Sequence, residues 1–254
     1  MTKDRSSADP SGIDRSRRHV LKAATAIAAV TLAPGWQLIA TAEAKAPGEA
    51  VTDKNRWGIL VDTTKMDKAT CDVAVDACNS EHGLTKSDHP GQDPQWIRRL
   101  DIRDPQTGAA HSLPMMCQHC QYPPCADVCP TGASFRRIDG IVLVDKHICI
   151  GCRYCMLACP YKARSFAYRD IEDPKPHSPR GRGTVQSCTM CVHRVDVGGI
   201  PACVEACNEV APGSMIFGDL KDPESEIAKR VSEVVVKRVR ADLGTDPGVL
   251  YLGV

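Results

Sequence analysis

The apolar residues of this chain fall in short runs rather than long amphipathic stretches. Two runs, Gly58-Ile59-Leu60-Val61-Asp62 and Gly140-Ile141-Val142-Leu143-Val144-Asp145, are of strand length and are bounded by glycine and aspartate. Each predicts a short buried strand. Their surroundings match: WGILVDTTKMD and DGIVLVDKHIC read as one unit used more than once. Residues 173–183, rich in proline, arginine and glycine, predict a loop. Near the end, Asp222-Pro223-Glu224 suits a helix start, with proline in the first turn and acids at the N-terminus. Ile227, Val231, Val234 and Val235 then recur on one helical face until Gly244, which predicts a packing helix.

The weakest apolar run lies at the N-terminus. Arg17-Arg18 precede an Ala/Thr-rich stretch from Ala23 to Ala33, and small-residue patterns follow at Ala40–Ala42, Ala42–Ala44 and Ala44–Ala46. A basic segment, a short apolar segment and a small-residue cleavage site together read as an export signal. The paired arginines and weak apolar core point to the twin-arginine route, with residues 1–44 as signal peptide and cleavage region. The rival reading is an amphipathic helix with a chance Arg-Arg pair. Pro34 and Gly35 interrupt the run, and no later run reaches the ~18 apolar residues of a spanning helix. The expectation is a periplasmic protein with no membrane span of its own, attached to the membrane through a partner.

Charge and composition narrow the picture. The formal net charge is +1 over 254 residues, and losing residues 1–44 would bring it to about −1. Aromatics are 4% of the chain. Neither feature suggests nucleic-acid binding. Cysteine is the unusual residue, at 14 copies.

The cysteines form four groups: Cys71 and Cys78; Cys117, Cys120, Cys125 and Cys129; Cys149, Cys152, Cys155 and Cys159; and Cys188, Cys191, Cys203 and Cys207. The third group, with Pro160, is C-x2-C-x2-C-x3-C-P, the bacterial ferredoxin run. Three thiolates from one tight loop reach three corners of a cubane, while the fourth points toward a second cluster. The second group has the same ending with two extra residues in its middle, among them Pro123 and Pro124. Disulfides at i, i+3 spacing would be strained. Zinc fits C-x2-C pairs but needs no third cysteine three residues on, so a zinc-binding structural protein is the weaker rival.

In two-cluster ferredoxins the fourth cysteine of each run serves the other cluster. Carried over here, cluster A takes Cys117, Cys120, Cys125 and Cys159, and cluster B takes Cys149, Cys152, Cys155 and Cys129. The fourth group needs a partner run, and the first group supplies Cys78 for cluster C with Cys188, Cys191 and Cys203. Ala74 stands where that run would carry another cysteine, and its remaining slot falls on Lys68 or Met66. Cys71 and Cys207 are then the remnant of a fourth site, and three [4Fe–4S] clusters are expected. His119 could donate to a cluster sulfur or be an ordinary loop histidine. Arg153 and Tyr154 could shape a cluster's potential, with surface packing as the default reading.

With these groups in view, the chain resembles the four-cluster ferredoxin family, the iron–sulfur subunits of molybdopterin- and quinone-linked oxidoreductases. The resemblance rests on "MCQHCQYPPCADVCPTGASFRRIDGIVLVDKHICIGCRYCMLACPYKARSF" and "IPACVEACNEVAPGSMIFGDL" and covers the chain from about Trp57 onward. The export signal and "PYKARSFAYRD" resemble most the periplasmic (DsrO-like) subunits of the transmembrane complex associated with dissimilatory sulfite reductase. This resemblance implies an α+β fold over residues 45–254, built of tandem ferredoxin-like modules with short β-hairpins and helices. One module pairs groups 117–129 and 149–159; the other pairs 71–78 and 188–207. It also implies a multi-helix, NrfD-type membrane subunit that meets quinone, and a multihaem cytochrome c as a further partner. The implied role is passing single electrons in a sulfur-metabolism complex, with no catalytic site in the chain itself. Nitrite, tetrathionate, polysulfide and hydrogenase complexes are the alternatives.

Overall fold

The structure, a computed structural model, describes residues 51–254; the export-signal reading lies outside them. The run at Gly58 forms β1 (Trp57–Asp62), as its hydrophobicity predicts. The helix α1 (Lys68–His82) follows, started by Asp67, whose side chain accepts from the Thr70 N–H at 2.7 Å. Gly83 ends it in the left-handed region at φ 61°. A hairpin, β2 (Ile97–Arg103) with β3 (Ala110–Met116), leads into the second cysteine group. That group carries the single turn α2 (Pro124–Asp127). A second hairpin, β4 (Ser134–Arg136) with β5 (Val142–Val144), contains the second predicted strand and leads to α3 (Tyr154–Ala158) in the third group. The two-residue strands β6 (Ser165–Phe166) and β7 (Val185–Gln186) pair across the 173–183 tract, which has neither helix nor strand. The fourth group spans α4 (Val192–Val195) and α5 (Ala202–Val210). The chain closes with β8 (Met215–Asp219), α6 (Glu226–Glu233), β9 (Val236–Lys237) and β10 (Val249–Leu252). The fold is α+β.

The main sheet has the order β8-β1-β10-β9, with β1 antiparallel to β8 and parallel to β10. Alternation along its two central strands makes two cores. Ile59, Val61, Val249 and Tyr251 join the large core that contains the cysteines. Leu60 and Leu250 point to the other face, where Ile227 of α6 covers them. The sheet therefore stands between the cysteine-rich core and α6.

The predicted C-terminal helix is real but shorter. Ser225 caps it, accepting from the Ala228 N–H at 3.2 Å. Val234 is already extended at φ −125°, ψ 153°, and Val235 is exposed. The cause is the β-branched run Val234-Val235-Val236, which favours strand, together with pairing of Val236 to Leu252. Gly244 ends a separate 3-10 turn, not this helix. Among the described residues no helix is long and apolar enough to cross a membrane.

Candidate metal centres

None of the fourteen cysteines is paired in a disulfide. Cys117, Cys120 and Cys125, from the second group, line one small cavity with Cys159 from the third. Cys149, Cys152 and Cys155, from the third group, line another with Cys129 from the second. In each, three sulfurs come from one loop and the fourth crosses over from the end of the other run. Cys78 on α1 is near enough to feel the charges of Cys203 and Cys191, and Cys188 those of Cys78 and Cys203, so these four thiols form a third neighbourhood.

Backbone geometry brings the thiols inward. Gly151, at φ 70°, sits where an added Cβ would come 2.1 Å from the Gly183 carbonyl oxygen, so the Cys149–Cys152 loop accepts only glycine there. The segment before β10 holds the second group: Gln121, Tyr122 and Gly248 share backbone hydrogen bonds of 2.8–3.1 Å with Asp246, Thr245 and Gln118. His119 is not an ordinary loop histidine. It is buried, and its Nδ1 accepts from the Val142 N–H at 3.0 Å, tying the second group to β5. Burial, then Arg164, lowers its pKa to about 3. Arg153 lies over Phe166 at 4.7 Å, and Tyr154 is exposed.

The cavities suit thiolate ligands of a metal cluster. Backbone N–H groups of Ser134 and Met190 each point at a sulfur, Cys129 and Cys188, at 3.3 Å, and that of Val185 points at Cys149 at 3.5 Å. Such donors stabilise negative sulfur. Arg164, which sequence reasoning passed over, donates through Nη2 to Cys125 at 3.0 Å and lies near Cys155, whose thiol its charge lowers. Burial disfavours its charge, yet the Cys125, Cys117, Cys155 and Cys159 thiolates outweigh that and hold its pKa above the ordinary value. Its arginine side chain inside the "PYKARSF" segment is the signal that could have revealed it. Burial outweighs the donors elsewhere and pushes the thiols up, Cys117 to about 12 and Cys120 and Cys191 to about 11. The iron of a bound cluster would hold these buried thiols in their deprotonated form.

The remaining pair is different. Cys71 and Cys207 adjoin each other, fully buried, with Met66 and Ala74 in the same apolar core. Burial, then Cys207, raises the Cys71 pKa to about 12, and Cys207 Sγ donates to the Thr70 carbonyl oxygen at 3.5 Å.

Residues 109–220 match the 4Fe-4S dicluster domain family. Over 92% of its length the chain is 40% identical to the Hdr-like menaquinol oxidoreductase iron-sulfur subunit 1 of Archaeoglobus fulgidus, covering 96% of that protein. It is 35% identical to a tetrathionate reductase subunit from Salmonella typhimurium, over 95% of this chain and 89% of the relative. The chain belongs to the four-cluster ferredoxin family of oxidoreductase iron–sulfur subunits. Protein NrfC of Escherichia coli is also similar, 34% identical over 76% of this chain and 78% of its own. Members of this family carry [4Fe–4S] clusters and transfer electrons, and the cysteine-lined cavities fit that cofactor.

Proposed function

We propose that the chain is the electron-transfer subunit of a quinone-linked, sulfur-metabolism complex, with three [4Fe–4S] clusters. Cluster A is held by Cys117, Cys120, Cys125 and Cys159, cluster B by Cys149, Cys152, Cys155 and Cys129, and cluster C by Cys188, Cys191, Cys203 and Cys78. Each bound cluster takes up and returns one electron. The observation that carries this reading is the sorting of twelve thiols into three groups of four that adjoin in series. Cys155 lies near Cys125, linking B to A, and Cys188 lies near Cys117, linking A to C. The chain's own residues keep water out by burial, supply sulfur and direct N–H dipoles at it.

The end at B is accessible: Cys152 is exposed, and so are Ile148, Ile150, Tyr154 and Leu157 around it. An apolar face beside a cluster suits a membrane-bound partner, the NrfD-type subunit that the resemblance implies. A multihaem cytochrome c would be the further redox partner, and the location would be the periplasm, as in the DsrO-like subunits.

Iron and acid-labile sulfide, measured per chain on anaerobically purified protein, test the assignment. The expected result is about twelve irons, unchanged in a Cys71→Ala/Cys207→Ala double variant. About sixteen would show that Cys71 and Cys207 recruit further ligands. Little iron, with zinc bound to sulfur in its place, would overturn electron transfer altogether.

A further inference from the structure

Beside Cys191 lies a second group of metal-ligating side chains: His82 at the end of α1, His177 in the 173–183 loop and His193 on α4. One ring nitrogen from each lies within 4.8 Å of the other two. Each Nε2 faces an acceptor: Cys191 Sγ at 3.4 Å for His82, the Glu81 carbonyl oxygen at 2.9 Å for His177, and Glu81 Oε1 at 2.7 Å for His193. A carbonyl and a carboxylate only accept, so His177 and His193 carry their proton on Nε2. The same holds for His82 if Cys191 is a thiolate, and here the argument rests on the cluster reading above. All three Nδ1 atoms are then lone pairs. On His82 and His193 that atom is buried without a hydrogen-bond partner among the described residues.

Burying two imidazole lone pairs unpaired is costly. Packing alone, with His82 against Trp96 at 4.5 Å, explains the rings but not those nitrogens. A metal ion explains both. Ligating histidines usually donate their other N–H to a carboxylate or backbone carbonyl, as seen here. Two imidazoles on one tetrahedral ion, with Zn–N about 2.0–2.1 Å, place their ring centres roughly 5 Å apart and steeply inclined. His82 and His193 lie 5.4 Å apart at 85°, and His82 and His177 lie 5.9 Å apart at 61°. His177 stacks on His193 at 4.0 Å and must turn outward to bind; it is the more exposed of the two, and its loop gives it room. Glu81, held at 3.1 Å by Arg194, supplies a negative charge.

We infer that His82, His177 and His193 form a site for one divalent cation of the zinc class, bound through three Nδ1 atoms. The test uses anaerobic holoprotein freed of loose metal with EDTA, then titrated with Zn2+ and desalted. One zinc per chain should remain beyond the iron, with light-atom neighbours at about 2.0–2.1 Å in zinc X-ray absorption. His177→Ala should lose that zinc while keeping its iron, and His193→Gln should lose it too. Zinc retained equally in both variants, sulfur neighbours at about 2.3 Å, or no retained zinc in the parent would overturn the site. Failure of the cluster reading would be visible separately, as missing iron and sulfide in the same sample.

Discussion

Arg164 shows how much one residue can do in this core. A buried guanidinium that donates to Cys125 and lies near Cys155 would place a fixed positive charge between the proposed clusters A and B. A reduced cluster is more negative than an oxidised one, so that charge favours reduction of both. Arg164→Gln should lower the midpoint potentials of A and B while leaving that of C in place, and Arg164→Lys should lower them less. A hydrogen bond to a charged group contributes roughly 1.5–3 kcal/mol. If about a third of that differs between redox states, the shift is on the order of tens of millivolts. Redox titration followed by electron paramagnetic resonance checks this; unchanged potentials with full iron content would remove Arg164 from the electron path. Sequence spacing located the thiols; the arginine of the "PYKARSF" segment was in view, but only the fold shows that it is the one turned inside.

Among the elements, α1 shows both what periodicity reveals and what it hides. Cys71, Ala74, Cys78 and His82 fall on one buried stripe at three- and four-residue steps. The degenerate cysteine pattern was legible in the sequence. His82 at the end of the same stripe was not, because its neighbours His177 and His193 are about a hundred residues away along the chain. On the opposite side of the molecule, α6 covers the sheet through Ile227, which is fully buried against Leu60 and Leu250. Ile227→Ala should cost about 2–5 kcal/mol, read by chemical denaturation of the anaerobic holoprotein. Iron content should not change, since the sheet separates this small core from the cysteines. The helix stops at Glu233 because a valine run found a strand partner in β10, a preference visible only once β10 is in place.

For the whole molecule, the core is unusual in that cysteines from all four groups form much of its centre. Around them, apolar burial comes from the main sheet, through Ile59, Val61 and Tyr251, and from the hairpins and helices, through side chains such as Ile97, Met116, Val142 and Val204. Cluster ligation would supply the remaining cohesion, since metal binding free energy is folding free energy where no preformed site exists. Removing iron with a chelator and an oxidant should therefore abolish the cooperative thermal transition and the near-ultraviolet circular dichroism together. A sharp, unchanged melt of the iron-free protein would show that the polypeptide folds on its own contacts. The series B–A–C would stop at C because Met66 and Ala74 stand where a fourth set needs donors.

The sequence by itself determined the chemistry: four cysteine groups, the ferredoxin spacing of the third, the incomplete first group and two of the strands. These are local matters, set by spacing and by side chains of neighbouring residues. Only the tertiary structure decided which distant groups meet. The parallel pairing of β1 with β10, the burial of Arg164 and His119 and the convergence of three histidines beside Cys191 all join residues far apart in the chain. Each depends on long-range packing, whose energy arises only when the whole core closes, so no local pattern encodes it.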